Sequence, residues 1–178
     1  IFNQYAWAAI AMFILLAVAV VYRADSLKRI FVSSLGRGSG TAVYAGRPVN
    51  EFRAVPEEVK LFTEDQLTEL QKRLNDWAHS IQGNPDLLDP WLQVGLVKKV
   101  IGDFEGARDA WEYASIIRPK NIASFKNLGE LYWHYLPDFP RAETNLRQAI
   151  ENDPTYIDSF ITLSDIYRYS YQGKSDSA

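Results

Sequence analysis

Few residues in this 178-residue chain could do chemistry, and their spacing argues against most of it. There are two histidines, His79 and His134, and no cysteine. A zinc site draws on clustered Cys, His and carboxylate ligands, and nothing at metal-ligand spacing supports either histidine. Zero cysteines also exclude a disulfide framework and a thiol nucleophile. The carboxylate pairs Glu57-Glu58 and Glu64-Asp65 stand where helices begin, a placement the helix macrodipole favours without any catalytic role. The cluster Gly36-Arg37-Gly38-Ser39-Gly40 lacks the Gly-Lys-Ser/Thr sequel and the strand-turn-helix frame of a phosphate loop, so it reads as a tether. No Ser-His-Asp order stands out. The expectation is a protein without a catalytic, cofactor or metal site.

The elements that must hold such residues are set by charge. The formal net charge of −3 is a sum of three unlike zones. Residues 1–22 carry no charge; residues 23–53 carry +4 from Arg23, Lys28, Arg29, Arg37, Arg47 and Arg53 against Asp25 and Glu51; the remainder carries −7. An acidic balance of this kind speaks against nucleic acid as a partner. The run from Tyr5 to Tyr22 is 18 uncharged residues with aromatics near both ends. At about 1.5 Å per residue, a helix of roughly 20 residues crosses the hydrocarbon layer. Residues 1–22 are therefore expected to be a transmembrane helix, a signal anchor rather than a cleaved signal peptide. The small-x-small triplet Ala17-Val18-Ala19 lies inside the apolar run, with Val20-Val21-Tyr22 still to come. Localisation would be the cell membrane, single-pass over this stretch. The basic residues after the span, taken alone, place the C-terminal part on the cytoplasmic side. Position 1 is Ile rather than Met, so the native start is expected to lie upstream, where basic residues could outvote these and leave the side open. Leu27, Ile30, Phe31 and Leu35 could lie along the membrane as a short helix face, or simply extend the span.

Residues 23–56 read as a basic juxtamembrane segment and linker. Thr41–Ala45 could be briefly extended, and Arg47-Pro48 and Val55-Pro56 require extended backbone before each proline. Helical periodicity begins at the capping box Thr63-Glu64-Asp65-Gln66. Leu67, Leu70, Leu74, Trp77, Ala78 and Ile81 then form one apolar stripe, which ends near Gly83-Asn84-Pro85. Pro85, Pro119 and Pro154 repeat at 34 and 35 residues, and six residues after each stands an aromatic, Trp91, Phe125 or Phe160. Eight residues before each proline stand Trp77, Trp111 and Leu146.

A 34-residue period with two helices per unit resembles the tetratricopeptide repeat family. The first unit carries Trp91, Val94, Gly95, Ala107, Trp111, Ala114 and Pro119 at the family's spacing. The second carries Phe125, Leu128, Gly129, Tyr132, Ala142, Leu146, Ala149 and Pro154, with one extra residue in the turn near Leu136–Pro140. A third opens with Phe160, Leu163 and Tyr167. Lys98 and Ser164 depart from the family's tyrosine and glycine. The resemblance implies an all-α chain: N-terminal transmembrane helix, flexible linker, then an α-solenoid of antiparallel helix hairpins. Its parts would be a capping helix over 57–87, repeats over 88–121 and 122–156, and a partial third over 157–178. Small residues such as Gly95 and Gly129 would sit where helices cross, with Trp91, Trp111, Phe125, Leu146 and Phe160 filling the space between hairpins. The layout resembles membrane-anchored bacterial repeat proteins of unassigned function.

In that family the first helix of each hairpin lines a concave face that docks proteins or peptides. Carried over by spacing, the face holds Leu92, Gln93, Leu96 and Lys99, then Lys126, Asn127, Glu130, Trp133 and His134, then Ile161, Thr162, Asp165, Arg168 and Tyr169. Trp133 and Tyr169 would anchor a ligand or pack on the neighbouring hairpin. Glu130 and Thr162 break the cationic, amide-rich pattern of the family's carboxylate clamp. Two functions are open on this reading. One is a membrane-tethered scaffold that binds a protein or peptide on the concave face, held to the bilayer through residues 1–22. The alternative is the junction of a larger polytopic membrane enzyme, such as a glycan polymerase or ligase. Two and a half repeats leave an open final face, which implies further chain, a partner, or self-association through the last repeat.

Overall fold

In the computed structural model the described residues are 42–171, and among them the chain is all-α. The expected transmembrane helix, residues 1–22, lies outside them, as does most of the basic segment. No helix among the described residues is long and apolar enough to cross a membrane. The chain divides into units at Ala42, and the fold described is that of the second.

After a short helix α1 (Pro56–Val59) come α2 (Glu64–Gly83), α3 (Leu88–Val100), α4 (Phe104–Ile117), α5 (Ala123–His134), α6 (Phe139–Asn152) and α7 (Ile157–Ile166). Local chemistry marks the boundaries. Thr63 and Gln66 close a reciprocal capping box at the start of α2, the Gln66 N–H reaching Thr63 Oγ1 at 3.3 Å and the Thr63 N–H reaching Gln66 Oε1 at 2.8 Å. Asp103 caps α4 by accepting from the Gly106 N–H at 3.0 Å, and Asp138 caps α6 by accepting from the Arg141 N–H at 3.1 Å. Helices α2, α4 and α6 each end two residues before one of the repeating prolines, Pro85, Pro119 or Pro154. The α3–α4 turn needs Gly102, whose φ of +83° is a left-handed value that side chains with a Cβ resist.

Each helix from α2 to α7 packs on its neighbours in sequence, most extensively α3 on α4 and α5 on α6. The close crossings use glycine. A Cβ on Gly95 would lie 2.2 Å from Trp111 Nε1, and one on Gly129 would lie 2.6 Å from Leu146 Cγ. Trp111 and Leu146 are buried against those glycines, and Ala107, Leu128, Leu131, Tyr132, Ala142 and Ile166 complete the shared core. Trp91 is buried too, its indole N–H donating to the Pro85 carbonyl at 2.8 Å. Phe160 differs from the expectation: it is 45% exposed.

Two segments depart from what the sequence suggests. The linker read through residue 56 packs on the α3–α4 hairpin from Tyr44 onward. Beyond α7, the helix widens into a π turn, Tyr167–Tyr171. Exposed contacts tie that turn to α6, with Arg147 donating to Tyr167 Oη at 2.7 Å and Tyr167 Oη bonded to Glu143.

Candidate functional site

The residues expected to line a concave face come from α3, α5, α7 and the π turn. Helical geometry separates two sides of α3. Trp91, Val94, Gly95 and Lys98 face inward and are buried, while Gln93, Leu96 and Val100 are exposed. Lys99 lies between these sides, its ammonium 5.2 Å from the centroid of the Tyr135 ring, a cation–π contact across to the end of α5.

From Tyr135 the contacts continue. Its ring lies 4.5 Å from Phe104 and 6.2 Å from His134, and His134 stacks on Trp133 at 4.0 Å. Trp133 is half-buried on the core, and its indole N–H donates to Ser170 Oγ at 3.0 Å. Ser170 lies in the π turn. Thus Lys99, His134, Trp133 and Ser170 join in one continuous string running from α3 to the π turn. A second group surrounds Lys126, whose Nζ lies 3.1 Å from Glu130 and 3.9 Å from Asp158, with the Tyr156 ring at 5.9 Å. Partial burial pulls the Lys126 ammonium down, but the Glu130 hydrogen bond and the surrounding negative groups outweigh it and hold it above the ordinary lysine value. Lys126 is thus a committed cation whose charge Glu130 already balances.

Gln93, Leu96, Asn127, Arg168 and Tyr169 take part in neither group. Leu96 and Tyr169 are respectively 47% and 68% exposed. The structure therefore separates two residues paired as anchors by sequence: Trp133 packs on the neighbouring core, and Tyr169 stands open. Tyr135 belongs to the string and was not among the expected residues, although its place one step past Trp133-His134 extends the same aromatic run. His79 is exposed on α2. No group of three or more His, Cys, Asp or Glu among the described residues is placed to hold a metal ion.

A second constellation lies on the inward side of α3, and only Lys98 hinted at it. Lys98 and Asp103 are both fully buried, with Nζ and Oδ2 3.0 Å apart. Lys98 also donates to the Glu51 carbonyl at 2.9 Å, and Arg47 reaches Asp103 Oδ1 at 2.7 Å. Beside them, the Tyr44 ring rests 4.6 Å from Trp91 and 5.6 Å from Tyr113. Burial first, then the charges of Asp109 and Asp103, push the Tyr44 phenol far above the ordinary tyrosine value. The lysine that breaks the repeat pattern is thereby explained: it holds down the segment preceding α1. Comparison with family models, curated proteins and solved structures gives no match for this chain.

Proposed function

We propose that the chain is a membrane-tethered interaction scaffold, a short solenoid of the tetratricopeptide repeat type whose concave face binds a protein or peptide. The observation that carries this reading is the string from Lys99 through Tyr135, His134 and Trp133 to Ser170. It crosses successive hairpins without a break and is flanked by the exposed apolar side chains Leu96 and Tyr169. Fixed aromatic rings with polar edges supply contact area at small entropic cost, which is why aromatics dominate binding hot spots. The uncharged run 1–22 and the basic residues after it support a bilayer tether.

The test uses the full chain in detergent, with a photo-crosslinking residue at Leu96 or Tyr169 and a control at Lys72 on α2. Crosslinks to one discrete partner from the first two positions, and none from the control, are expected. Tyr169→Ala should then weaken that partner's binding by about tenfold or more. Equal capture by Lys72 and by the groove positions, or full retention of the partner by Tyr169→Ala, would overturn the reading.

A further inference from the structure

The segment from Val43 to Val55 is bound to the α3–α4 hairpin in the way a peptide ligand is bound. Its recognition falls into four parts. The Tyr44 ring fills an aromatic seat formed by Trp91 and Tyr113. Gly46 brings the backbone so close to α4 that a Cβ there would lie 2.6 Å from Asp109 Cβ, and the Arg47 N–H donates to Asp109 Oδ2 at 3.3 Å. The Arg47 guanidinium lies on buried Asp103 and reaches Glu105 at 3.5 Å. Main-chain bonds finish the fit, Lys98 Nζ to the Glu51 carbonyl at 2.9 Å and the Val55 N–H to the Ile101 carbonyl at 2.8 Å. An aromatic, a glycine and an arginine at fixed spacing, read by complementary pockets, make a specific motif: Tyr44-Ala45-Gly46-Arg47.

The link between this strap and the body is short and largely exposed, with Glu58 and Val55 resting against the Gly102 turn. It runs through α1, which has no buried residue, and past Leu61, which is 87% exposed. A short connection of this kind, without a buried residue in α1, tethers the strap beside its seat. A tethered segment competes for its seat at an effective concentration set by the linker, of millimolar order for short flexible links. Copies concentrated together can exchange identical elements at little cost, since every contact in the swapped form repeats one in the closed form.

We infer that the inward face of the α3–α4 hairpin is a second peptide-binding site, specific for the Tyr-x-Gly-Arg strap, filled by the chain's own strap in isolation and by the strap of a second copy when copies are crowded. Trp91 and Lys98 stand on the opposite side of α3 from Gln93 and Leu96, so failure of this site and failure of the concave groove are separable.

The experiment uses the full chain and a fluorescent synthetic peptide spanning residues 43–55. In the double variant Tyr44→Ala/Arg47→Ala the resident strap loses its aromatic and its cation while the seat keeps every residue. Peptide should bind this variant at least tenfold more tightly than the unaltered chain, and a peptide carrying the same two substitutions should not bind. Amide exchange across α4 confirms that the seat is folded; if the double variant unfolds, Gly46→Ala loosens the resident strap instead, its added methyl clashing with the Tyr44 ring and with Asp109 Cβ. Second, donor- and acceptor-labelled copies reconstituted at rising density in vesicles should show energy transfer that the free peptide abolishes. No binding of the peptide to a folded strap variant would overturn the site. Energy transfer that is absent, or indifferent to the peptide, would overturn exchange between copies.

Discussion

Asp103 carries more of this molecule than any other single side chain. It caps α4 through the Gly106 N–H, balances Lys98 at full burial and anchors Arg47 from the strap. A buried ion pair adds little net stability because desolvation offsets attraction, yet removing one partner leaves a bare charge. Asp103→Ala should therefore cost about 3–5 kcal/mol, since Lys98 then keeps only a carbonyl. Lys98→Met should cost about 2 kcal/mol, because Arg47 and the Gly106 N–H still satisfy Asp103 and the methionine chain fills the space. Urea unfolding of both variants measures the order, and an equal cost would mean that the Lys98–Asp103 pair, which both variants lose, dominates and the cap adds little. The buried tyrosines give a pH signature. Burial and then neighbouring carboxylates, Asp109 for Tyr44 and Glu112 for Tyr132, raise both phenols well above their ordinary value. A raised folded value means their contribution is complete below the unfolded value of about 10 and is lost as pH climbs toward the folded one. Stability should thus fall from about pH 10 upward, and Tyr44→Phe with Tyr132→Phe should flatten that decline in alkaline melting curves.

At the scale of the helix pair, the two glycine crossings offer a graded test. Alanine is the better helix former by about 1 kcal/mol, while overpacking a core costs about 1–3 kcal/mol. At Gly95 the added methyl meets the Trp111 indole, whose N–H is committed to the Leu92 carbonyl at 3.1 Å. At Gly129 it meets Leu146 Cγ at 2.6 Å, a buried aliphatic side chain that no hydrogen bond holds in place. Gly95→Ala should therefore lower the melting temperature clearly and Gly129→Ala only slightly, as thermal unfolding followed by circular dichroism would measure. These crossings, like the capping box at Thr63 and the stops before the prolines, are readable in sequence because they depend on residues within one repeat period. The strap is not readable that way. Arg47 and Asp103 lie 56 positions apart and Lys98 and Glu51 lie 47 apart, and each alone looks like a linker charge or a blemish in the repeat. The π turn is hidden for another reason: Tyr-Arg-Tyr-Ser-Tyr suits an α-helix equally well, and its contacts are with Glu143, Arg147 and Trp133 in helices upstream. Of the groove, sequence spacing found the helix faces but not Tyr135, nor which aromatics would be tied down.

Over the whole described chain, packing runs from each helix to its sequence neighbours, and so stability should be regional rather than uniform. The N-terminal hairpin is reinforced from two sides, by α2 and by the strap. The C-terminal hairpin has α7 as its outer layer, and α7 leaves Ile157, Phe160 and Ile161 exposed. In a linear array of this kind each unit's stability is its own plus that of its interfaces. Two buried serines lower that end further: Ser124 and Ser159 have fully buried hydroxyls with no hydrogen-bond partner among the described residues. Leu146→Ala should remove about 2–5 kcal/mol from the α5–α6 pair, the usual cost of emptying a buried leucine site. The array predicts that this loss stays local. Native-state amide exchange should show α5, α6 and α7 opening earlier in Leu146→Ala, while the backbone bond from the Val55 N–H to the Ile101 carbonyl and the amides of α4 keep their protection. The mirror experiment, Asp103→Ala, should release the strap and weaken α4 first. A uniform loss of protection across both hairpins in either variant would instead mean that the interface of α4 with α5 couples the stack into one cooperative body, and the strap would then sense events at the far end.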